Sequence, residues 1–361
     1  MKILVDCHVF DGMFSGVRTY IQGIYTNLVK YKDIDFYFAA TNIDNIEKIF
    51  GQADNVHYIK LQHSSSLARL LFAFPYIIKK YKIDYAHFQY IAPIIKSCKE
   101  IITLHDLLFV EYPEYFPLSF RIKKGFLFYR SSKRADILFT VSEFAKKEIS
   151  TYYHVDKDDI YISHNAVLPI PKGIEAPDIK KKYKMSRYIL TVSRVEPRKN
   201  HLSIIRAYVE LKLYNEGYKL VMIGSKDINY IDFTKYYENL PDSIKNNIII
   251  DKASFAELVE LYKHASLFIF ASYAEGFGIP PLEAIEYGCP LLCSNSTAMS
   301  EFNLPDAITF TPDNLEQLKS KIIQELDTPT DLSLVRKQIK EKYNWEKIAD
   351  NFYSVLKTKT Y

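Results

Sequence analysis

The sequence predicts an α/β protein made of two domains, each built on a parallel β-sheet. Short, almost continuously apolar segments alternate with longer amphipathic segments along the chain. This alternation is typical of strands that are buried on both faces of a parallel sheet and connected by crossover helices. The alternation is interrupted once, near the middle of the chain. A chain of 361 residues is also longer than one hydrophobic core usually serves, so two domains are expected.

Six apolar segments are predicted to form the sheet of an N-terminal domain, residues 1–167. These strands are Ile3–Asp6, Phe36–Ala39, Tyr85–Phe88, Ile101–Leu104, Ile137–Val141 and Ile160–Ser163. The segments between them are long enough for crossover helices. Ser142, followed by the acidic Glu143, marks the start of one such helix, because serine caps helix N-termini and acids are favoured in the first turn.

Residues 168–187 are predicted to be a linker, because they are rich in proline and lysine and poor in core residues. The alternation then restarts in a C-terminal domain, residues 188–341. Its predicted strands are Tyr188–Ser193, Lys219–Ile223, Ile248–Ile250, Leu267–Ala271, Leu291–Ser294 and Ile308–Phe310. Parallel sheets bind ligands at the carboxyl ends of their strands. Two such Rossmann-like domains are expected to face each other across a central cleft.

The composition narrows the class of partner. Charged residues make up 25% of the chain and its formal net charge is +4. A net positive charge this small does not indicate nucleic-acid binding, but it is compatible with binding to an anionic ligand or an anionic membrane surface. None of the eleven glycines completes Gly-x-Gly-x-x-Gly or a Walker pattern, so neither a dinucleotide cofactor nor a P-loop is expected.

Cysteine usage and hydropathy predict a cytoplasmic location. The four cysteines form no Cys-x-x-Cys pair and no zinc pattern, which favours reduced thiols and no bound metal. The N-terminus lacks the zones of a signal peptide. No apolar run reaches the ~20 residues that span a bilayer. Any contact with the inner face of a membrane is therefore expected to be peripheral.

The most informative segment follows the apolar run 267–271. Gly276 and Gly278 permit a tight turn and a close approach of the backbone to a ligand. The next residues are Ile279 and two prolines, and proline is typical of the first positions of a helix. The amide groups at a helix start favour an anion. A turn and a helix start that bind an anionic ligand are therefore predicted here.

Two carboxylates flank this turn, Glu275 on the loop and Glu283 in the first turn of the helix. Carboxylates only accept hydrogen bonds and are suited to binding ligand hydroxyl groups, of which a sugar and a ribose have many. The alternative is that the glycines form an ordinary turn and that Glu283 caps its own helix.

A second segment leaves a predicted strand and enters a helix in the same way. It contains Ser193, Arg194 and Lys199. The two cations could clamp two phosphate groups, each charge-assisted contact contributing roughly 1.5–3 kcal/mol. The alternative is a solvated basic loop.

Together the two segments resemble the family 4 retaining glycosyltransferases, which have the GT-B fold. Glu275 and Glu283 match the Glu-x7-Glu motif of that family, and Arg194 and Lys199 match its Arg-x4-Lys pair. Three further segments extend the resemblance over most of the chain. They are Tyr287-Gly288-Cys289-Pro290, Asn165-Ala166-Val167, where the family usually has glycine in place of alanine, and Tyr343-Asn344-Trp345-Glu346.

The resemblance implies a role for each matching position. Glu283 would hold the ribose hydroxyls of the donor and Glu275 the hydroxyls of its sugar, with the backbone of Phe277 and Gly278 beside it. Arg194 and Lys199 would stabilise the departing diphosphate. The base would lie near Gly224 and its neighbours and near the turn at residues 251–253. The family also implies that residues 342–361 form a helix that crosses back to the first domain.

The N-terminal domain offers fewer candidates. His105 closes a predicted strand and resembles the family's histidine beside the donor sugar; the alternative is a histidine with purely structural partners. The segment Ser15-Gly16-Val17-Arg18 resembles the Gly-x-x-Arg form of mannosyltransferase-like members, although only one residue separates Gly16 from Arg18 and the paired glycines common elsewhere in the family are missing. Arg18 could equally be a surface cation.

Two other patterns carry less weight. Asp33-Ile34-Asp35 has the Asp-x-Asp spacing of metal sites in the other major glycosyltransferase fold, but it runs into a predicted strand, so no metal is expected. Residues 116–134 interleave basic and aromatic side chains. Such a helix could lie on an anionic membrane or receive a lipid-linked acceptor. It could also be a core-facing aromatic stripe with a solvated basic back.

The sequence therefore predicts a retaining hexosyltransferase that needs no cofactor. It would use a nucleotide-diphosphate sugar, GDP- or UDP-linked, and a glycan or lipid-linked acceptor in surface polysaccharide biosynthesis. A mannosyl donor is favoured by the loop that carries Arg18. The alternatives are a catalytically silent sugar-nucleotide-binding scaffold and a glycoside hydrolase that uses Glu275 and Glu283.

Overall fold

The computed structural model describes residues 1–12, 15–62, 65–171, 173, 175–226 and 230–360. They form two compact units, one of residues 1–168 and 343–361 and the other of residues 169–342. Each unit has a parallel sheet with helices in the connections. This confirms the α/β fold class with two Rossmann-like domains.

The first unit is built on a seven-stranded parallel sheet. Its strands are β1 (Lys2–Asp6), β2 (Asp35–Ala40), β3 (Val56–Lys60), β4 (Tyr85–Gln89), β5 (Lys99–Leu104), β6 (Ile137–Thr140) and β7 (Ile160–Ile162). Their order in the sheet is β3-β2-β1-β4-β5-β6-β7. The order reverses direction between β1 and β4, so the connections leave the sheet on opposite sides of this point, where ligands of open α/β sheets usually bind.

Eight α-helices belong to this unit within the described residues. They are α1 (Gly16–Leu28), α2 (Ile43–Phe50), α3 (Ser66–Ala68), α4 (Phe74–Tyr81), α5 (Leu108–Glu111), α6 (Leu118–Arg134), α7 (Glu143–Tyr153) and the C-terminal α16 (Trp345–Thr360). The predicted cap is present, because the Ser142 side chain accepts a hydrogen bond from the backbone of Ala145 at 3.0 Å.

The strand β3 was not among the predicted strands. It lies at the edge of the sheet, next to β2 only, and its middle residues His57 and Tyr58 are half-buried. An edge strand alternates buried and exposed positions and lacks the continuous apolar run of a central strand. The search for continuous apolar runs therefore missed it.

The C-terminal helix α16 packs on α1 of the first unit. The fit is close, because a β-carbon placed on Gly23 would lie 2.2 Å from the ring of Trp345. Asp33, the first residue of the Asp-x-Asp pattern, accepts hydrogen bonds from Tyr353 at 2.8 Å and from Lys357 at 3.1 Å. In this structure Asp33 thus anchors the C-terminal helix.

The second unit is built on a six-stranded parallel sheet. Its strands are β8 (Arg187–Val192), β9 (Tyr218–Ile223), β10 (Ile248–Asp251), β11 (Leu267–Phe270), β12 (Leu291–Ser294) and β13 (Thr309–Phe310). Their order is β10-β9-β8-β11-β12-β13, so the reversal of direction falls between β8 and β11.

Eight α-helices belong to this unit within the described part of the chain. They are α8 (Ile179–Tyr183), α9 (His201–Glu210), α10 (Ile231–Glu238), α11 (Asp242–Lys245), α12 (Phe255–His264), α13 (Ile279–Glu286), α14 (Leu315–Asp327) and α15 (Ser333–Lys342). The residues predicted as a linker thus contain α8, whose Ile179 is buried. In the chain as described, no helix combines the length and the apolar character needed to cross a membrane.

Candidate functional site

The two chemistry-bearing segments of the C-terminal unit leave neighbouring strands. Residues 193–200 follow β8 and residues 271–278 follow β11, and these strands are paired in the sheet. They lie on either side of the point where the strand order reverses, which is the usual ligand-binding position of such a sheet. The fold therefore brings together two loops that are about 75 residues apart in sequence.

A buried cluster of charges joins the two loops. Glu275 is 8% exposed, and its two oxygens have different cationic partners. Lys199 Nζ donates to Oε1, and Arg198 Nη1 donates to Oε2 at 3.0 Å. The backbone N–H of Glu275 donates to the Thr297 hydroxyl at 2.9 Å. The position of this carboxylate is thus fixed from three sides.

The charges in this cluster shift one another's pKa values. Burial alone would raise the pKa of Glu275, but the charges of Lys199 and Arg198 outweigh burial and lower it to about 2. Burial, followed by the like charge of Arg198, lowers the pKa of Lys199. Burial normally neutralises a carboxyl group, and close cations reverse that effect. Glu275 is therefore a carboxylate at neutral pH.

The loop after β8 is in close contact with the end of β9. The Ser193 N–H donates to Ile223 O at 3.0 Å, and the Val195 N–H donates to Ser225 O at 2.9 Å. A β-carbon added to Gly224 would lie 2.0 Å from the Ser193 carbonyl oxygen, so only glycine fits there. The side chain of Arg194 is exposed on this loop.

The predicted turn and helix start are present after β11. Gly278 has φ +96° and precedes Ile279, the first residue of α13. A positive φ of this kind favours glycine. Phe277 is buried edge-to-face against Phe302 at 5.6 Å between ring centroids. The segment from Gly276 to Ile279 thus directly follows Glu275 and leads into the N-terminus of α13, where the helix dipole favours an anion.

Glu283, the second carboxylate of the motif, is the fifth residue of α13 and lies just beyond the first turn in which it was predicted. It has a neutral partner. Its Oε2 accepts a hydrogen bond from the Tyr262 hydroxyl at 2.9 Å. Burial raises the pKa of Glu283 to about 7, although the bond from Tyr262 opposes the rise. The two glutamates therefore differ in protonation: close cations keep Glu275 ionised, whereas burial leaves Glu283 partly protonated at neutral pH.

The raised pKa of Glu283 predicts a pH dependence of stability. The ordinary pKa of a glutamate side chain is 4.5. Between pH 4.5 and pH 7 the native protein therefore retains a proton on Glu283 that the unfolded chain has released. Stability therefore falls as the pH rises through this window, by at most about 3 kcal/mol. The variant Glu283→Gln should lack this loss, so it should gain stability relative to wild type between pH 5 and pH 8 in urea unfolding.

The control for this experiment is Glu286→Gln on the same helix. Glu286 forms surface ion pairs, with Lys340 at 2.9 Å and Arg336 at 3.8 Å. A Glu283→Gln variant whose stability difference from wild type is the same at pH 5 and pH 8 would contradict the assignment.

The first unit places His105 at the end of β5 within a buried polar network. His105 is 6% exposed, and its Nε2 lies 2.8 Å from Gln89 Oε1. The Gln89 amide nitrogen lies 3.0 Å from Nε2 of His87, which also contacts the Thr103 hydroxyl at 2.8 Å. The ring of Tyr20 packs edge-on against His105 at 5.0 Å.

This network sets the state of His105. Burial lowers its pKa to about 3, so the imidazole is neutral at neutral pH. Because the amide oxygen of Gln89 can only accept, Nε2 of His105 carries the proton and Nδ1 has the lone pair. His105 therefore has partners within the first unit that determine its tautomer, and its place beside the donor sugar stays a prediction.

Gly16 and Arg18 lie in the first turn of α1. Ser15 caps this helix, and its side chain accepts from the Arg18 backbone N–H at 3.3 Å. The Arg18 guanidinium lies 5.1 Å from the centre of the Phe10 ring. Burial lowers the pKa of Arg18. The preceding residues 13–14 are outside the described part of the chain.

Sequence reasoning missed Arg198, Tyr262 and Gln89. Arg198 directly precedes Lys199, and a second basic residue beside the matched lysine was an available signal. Tyr262 and Gln89 carry no local signal, because each meets its partner only through packing of separate elements.

The chain has two Rossmann-like units, and the second carries a cluster of lysine, arginine and glutamate at the point where the strand order reverses. This combination is typical of a GT-B glycosyltransferase. Two family models match the chain: Glycosyltransferase Family 4 over residues 14–168 and Glycosyl transferases group 1 over residues 174–345. The chain belongs to glycosyltransferase family 4, which confirms the resemblance carried by Glu275, Glu283, Arg194 and Lys199.

Individual relatives agree with this assignment. O-antigen chain mannosyltransferase B of Escherichia coli is 24% identical over 402 residues, covering 99% of this chain and 100% of that protein. O-antigen chain mannosyltransferase RfbU of Salmonella typhimurium is 28% identical over 233 residues, covering 64% of this chain and 61% of that protein.

Solved structures share the fold. Sucrose-phosphate synthase from Thermosynechococcus elongatus has a TM-score of 0.78 at 15% identity and covers 99% of this chain and 98% of its own. Anabaena HepE, solved in complex with UDP and glucose, has a TM-score of 0.72 at 16% identity and covers 99% of this chain and 100% of its own.

Proposed function

We propose that this glycosyltransferase moves a hexosyl group, with retention, from a nucleotide-diphosphate sugar to a glycan or lipid-linked acceptor in surface polysaccharide biosynthesis. The observation that carries the proposal is the buried cluster of Lys199, Arg198 and Glu275 beside the start of α13. It combines cations for a diphosphate with a fixed carboxylate for sugar hydroxyls, on two loops at the ligand-binding point of the sheet.

The reaction would proceed by stabilising the leaving group. As the anomeric bond breaks, charge develops on the diphosphate, and Lys199, Arg194 and the amides at the start of α13 offset it. Glu275 would accept hydrogen bonds from the sugar and Glu283 from the ribose. The acceptor hydroxyl attacks from the face that the diphosphate leaves, and its proton passes to the leaving phosphate. No metal enters this scheme.

The donor we favour is a GDP-linked mannosyl sugar. Two relatives that are named mannosyltransferases support it, one of them aligned over 99% of this chain. The loop with Gly16 and Arg18, which resembles a loop of mannosyltransferase-like family members, also supports a mannosyl donor. A UDP-linked sugar is the second choice, because HepE, which shares the fold, was solved with UDP and glucose.

One observation favours the hydrolase alternative. The pKa values of Glu275 and Glu283 are about 2 and about 7, a difference typical of a nucleophile and a general acid. The cations decide against it: both oxygens of Glu275 are engaged by Lys199 and Arg198, which weakens the carboxylate as a nucleophile. A silent scaffold is disfavoured because the four motif residues are all present.

The proposal is tested by ligand binding and turnover. The purified protein is heated with GDP, UDP, GDP-mannose and UDP-glucose, each with and without EDTA, and release of the nucleoside diphosphate is then followed. Stabilisation by one nucleotide that persists in EDTA, with turnover of its sugar, would support the proposal. If no nucleoside diphosphate stabilises the protein, the donor-site assignment is wrong.

We also propose peripheral contact with the inner face of the membrane through α6. Leu118, Ile122, Phe126 and Tyr129 follow helical spacing and are 43–67% exposed, so they form one apolar stripe, while Phe128 is buried behind it. The exposed Lys123 and Lys133 flank the stripe. An apolar stripe edged by lysines suits an anionic lipid surface.

The double variant Ile122→Asp/Phe126→Asp is expected to lower binding to phosphatidylglycerol vesicles by about tenfold or more. Each substitution removes an apolar contact worth about 1–2 kcal/mol and adds a repelled charge. Vesicle sedimentation measures the loss. Ile323→Asp is the matched control, because Ile323 is 56% exposed on α14 of the other unit. Equal sedimentation of the two variants would exclude α6 as the contact.

A further inference from the structure

Arg198 holds together the two loops of the candidate donor site. Its side chain is 14% exposed. Nη1 donates to Glu275 Oε2 at 3.0 Å and to the Ala274 carbonyl, and Nη2 donates to Glu196 Oε1 at 2.7 Å. The Arg198 carbonyl accepts from the Tyr273 N–H at 2.8 Å. The planar guanidinium is suited to several simultaneous bonds of this kind.

Lys199 has a different position in the cluster. Its ammonium group donates to the other oxygen of Glu275 and lies at the end of a flexible side chain. An ammonium group is a compact charge that can change partners, whereas a guanidinium with several fixed partners stays in place. If Lys199 turned to a diphosphate, a buried carboxylate without another cation would be left uncompensated at high cost.

We propose that Arg198 is a positioning residue that holds Glu275 in place and supplies the cation that remains beside it when Lys199 turns to the departing diphosphate. This inference rests on the proposed transferase function and extends it. The diphosphate of the donor is already anionic, and further negative charge develops on it as the anomeric bond breaks, so the reaction needs Lys199 most at that step. Arg198 allows this by retaining its bonds to Glu275, Glu196 and the loop after β11 throughout.

The proposal predicts a change in pH dependence when Arg198 is removed. The titratable and charged groups that face Glu275 are Lys199 and Arg198, from the loop after β8, and the buried thiol of Cys293 on β12. Glu196 is bonded to Arg198, and its charge raises the pKa of Lys199. Without Arg198 only one cation opposes the effect of burial, so the pKa of Glu275 rises. The pKa of Lys199, which Arg198 lowers, rises as well.

The experiment compares Arg198→Gln and Arg198→Lys with Arg206→Gln. Arg206 is exposed on α9 and forms a surface pair with Glu210 at 3.4 Å, so it is a matched control. In Arg198→Gln we expect kcat to fall about tenfold or more, the KM for the donor to change less, and both limbs of the pH profile to move to higher pH. Arg198→Lys, which restores one charge, should recover part of kcat and move the acid limb back.

Wild-type kcat and an unshifted pH profile in Arg198→Gln would overturn the proposal. A fall in kcat with no shift of the profile would also overturn it, because a purely structural role predicts that result. Should Arg198→Gln fail to fold, Arg198→Lys decides by the same two measurements. Failure of the transferase assignment itself is distinguishable, because wild type would then neither bind nor turn over any nucleotide sugar.

Discussion

Replacing Lys199 by alanine is expected to lower the transfer rate about 10²–10³-fold. The ammonium group is the cation that we propose for the departing diphosphate, and removing one preorganised donor to developing charge typically has an effect of this size. The fold should persist, because Arg198 still neutralises the buried Glu275. The loss should appear mainly in kcat, with a weaker effect on the KM for the donor, since the charge develops during the reaction.

Steady-state release of nucleoside diphosphate measures this effect. Lys263→Ala is the matched control, because Lys263 is a surface lysine that pairs with Glu260 at 2.7 Å on α12 of the same unit. Lys199→Arg should recover only part of the rate, because the guanidinium has a different shape and would compete with Arg198 for Glu275. A Lys199→Ala enzyme within a few-fold of wild type would rule out this lysine as the diphosphate cation.

Gly224→Ala is expected to destabilise the C-terminal unit by about 3 kcal/mol, at the upper end of overpacking costs. The added β-carbon would lie 2.0 Å from the Ser193 carbonyl oxygen and 2.6 Å from its carbonyl carbon. Both are backbone atoms of Ser193, which directly follows β8 and donates its N–H to Ile223 O of β9 at 3.0 Å. The thermal midpoint should fall by roughly 6–12 °C, and donor affinity should fall with it, because the loop that carries Lys199 must shift.

Differential scanning calorimetry, with and without nucleoside diphosphate, measures both effects. Gly12→Ala is the control, because a β-carbon at Gly12 has no atom within 4 Å. If Gly224→Ala unfolded like wild type and bound nucleotide equally well, the close contact of β9 with the loop after β8 would not exist as described.

The sequence predicted the central strands of both sheets but missed one strand at the edge of the first sheet. Strands such as β5 and β11 lie between two neighbours and are buried along most or all of their length, so continuous apolar runs reveal them. The edge strand β3 has a single neighbour and half-exposed positions, and its local pattern resembles that of a loop. The sequence also predicted the turn before α13, because glycines and prolines have specific backbone preferences.

The sequence by itself determined which residues leave strands and enter helices, and hence the motif with Lys199, Glu275 and Glu283. Only the tertiary structure decided how they are partnered. Lys199 and Glu275 are 76 residues apart, and they meet because β8 pairs with β11. Glu283 meets Tyr262 because α12 packs on α13. The spacing of residues along the chain predicts where local helices, strands and turns begin and end. The charge state of a side chain depends instead on its burial and on partners from distant segments, and only tertiary packing determines these.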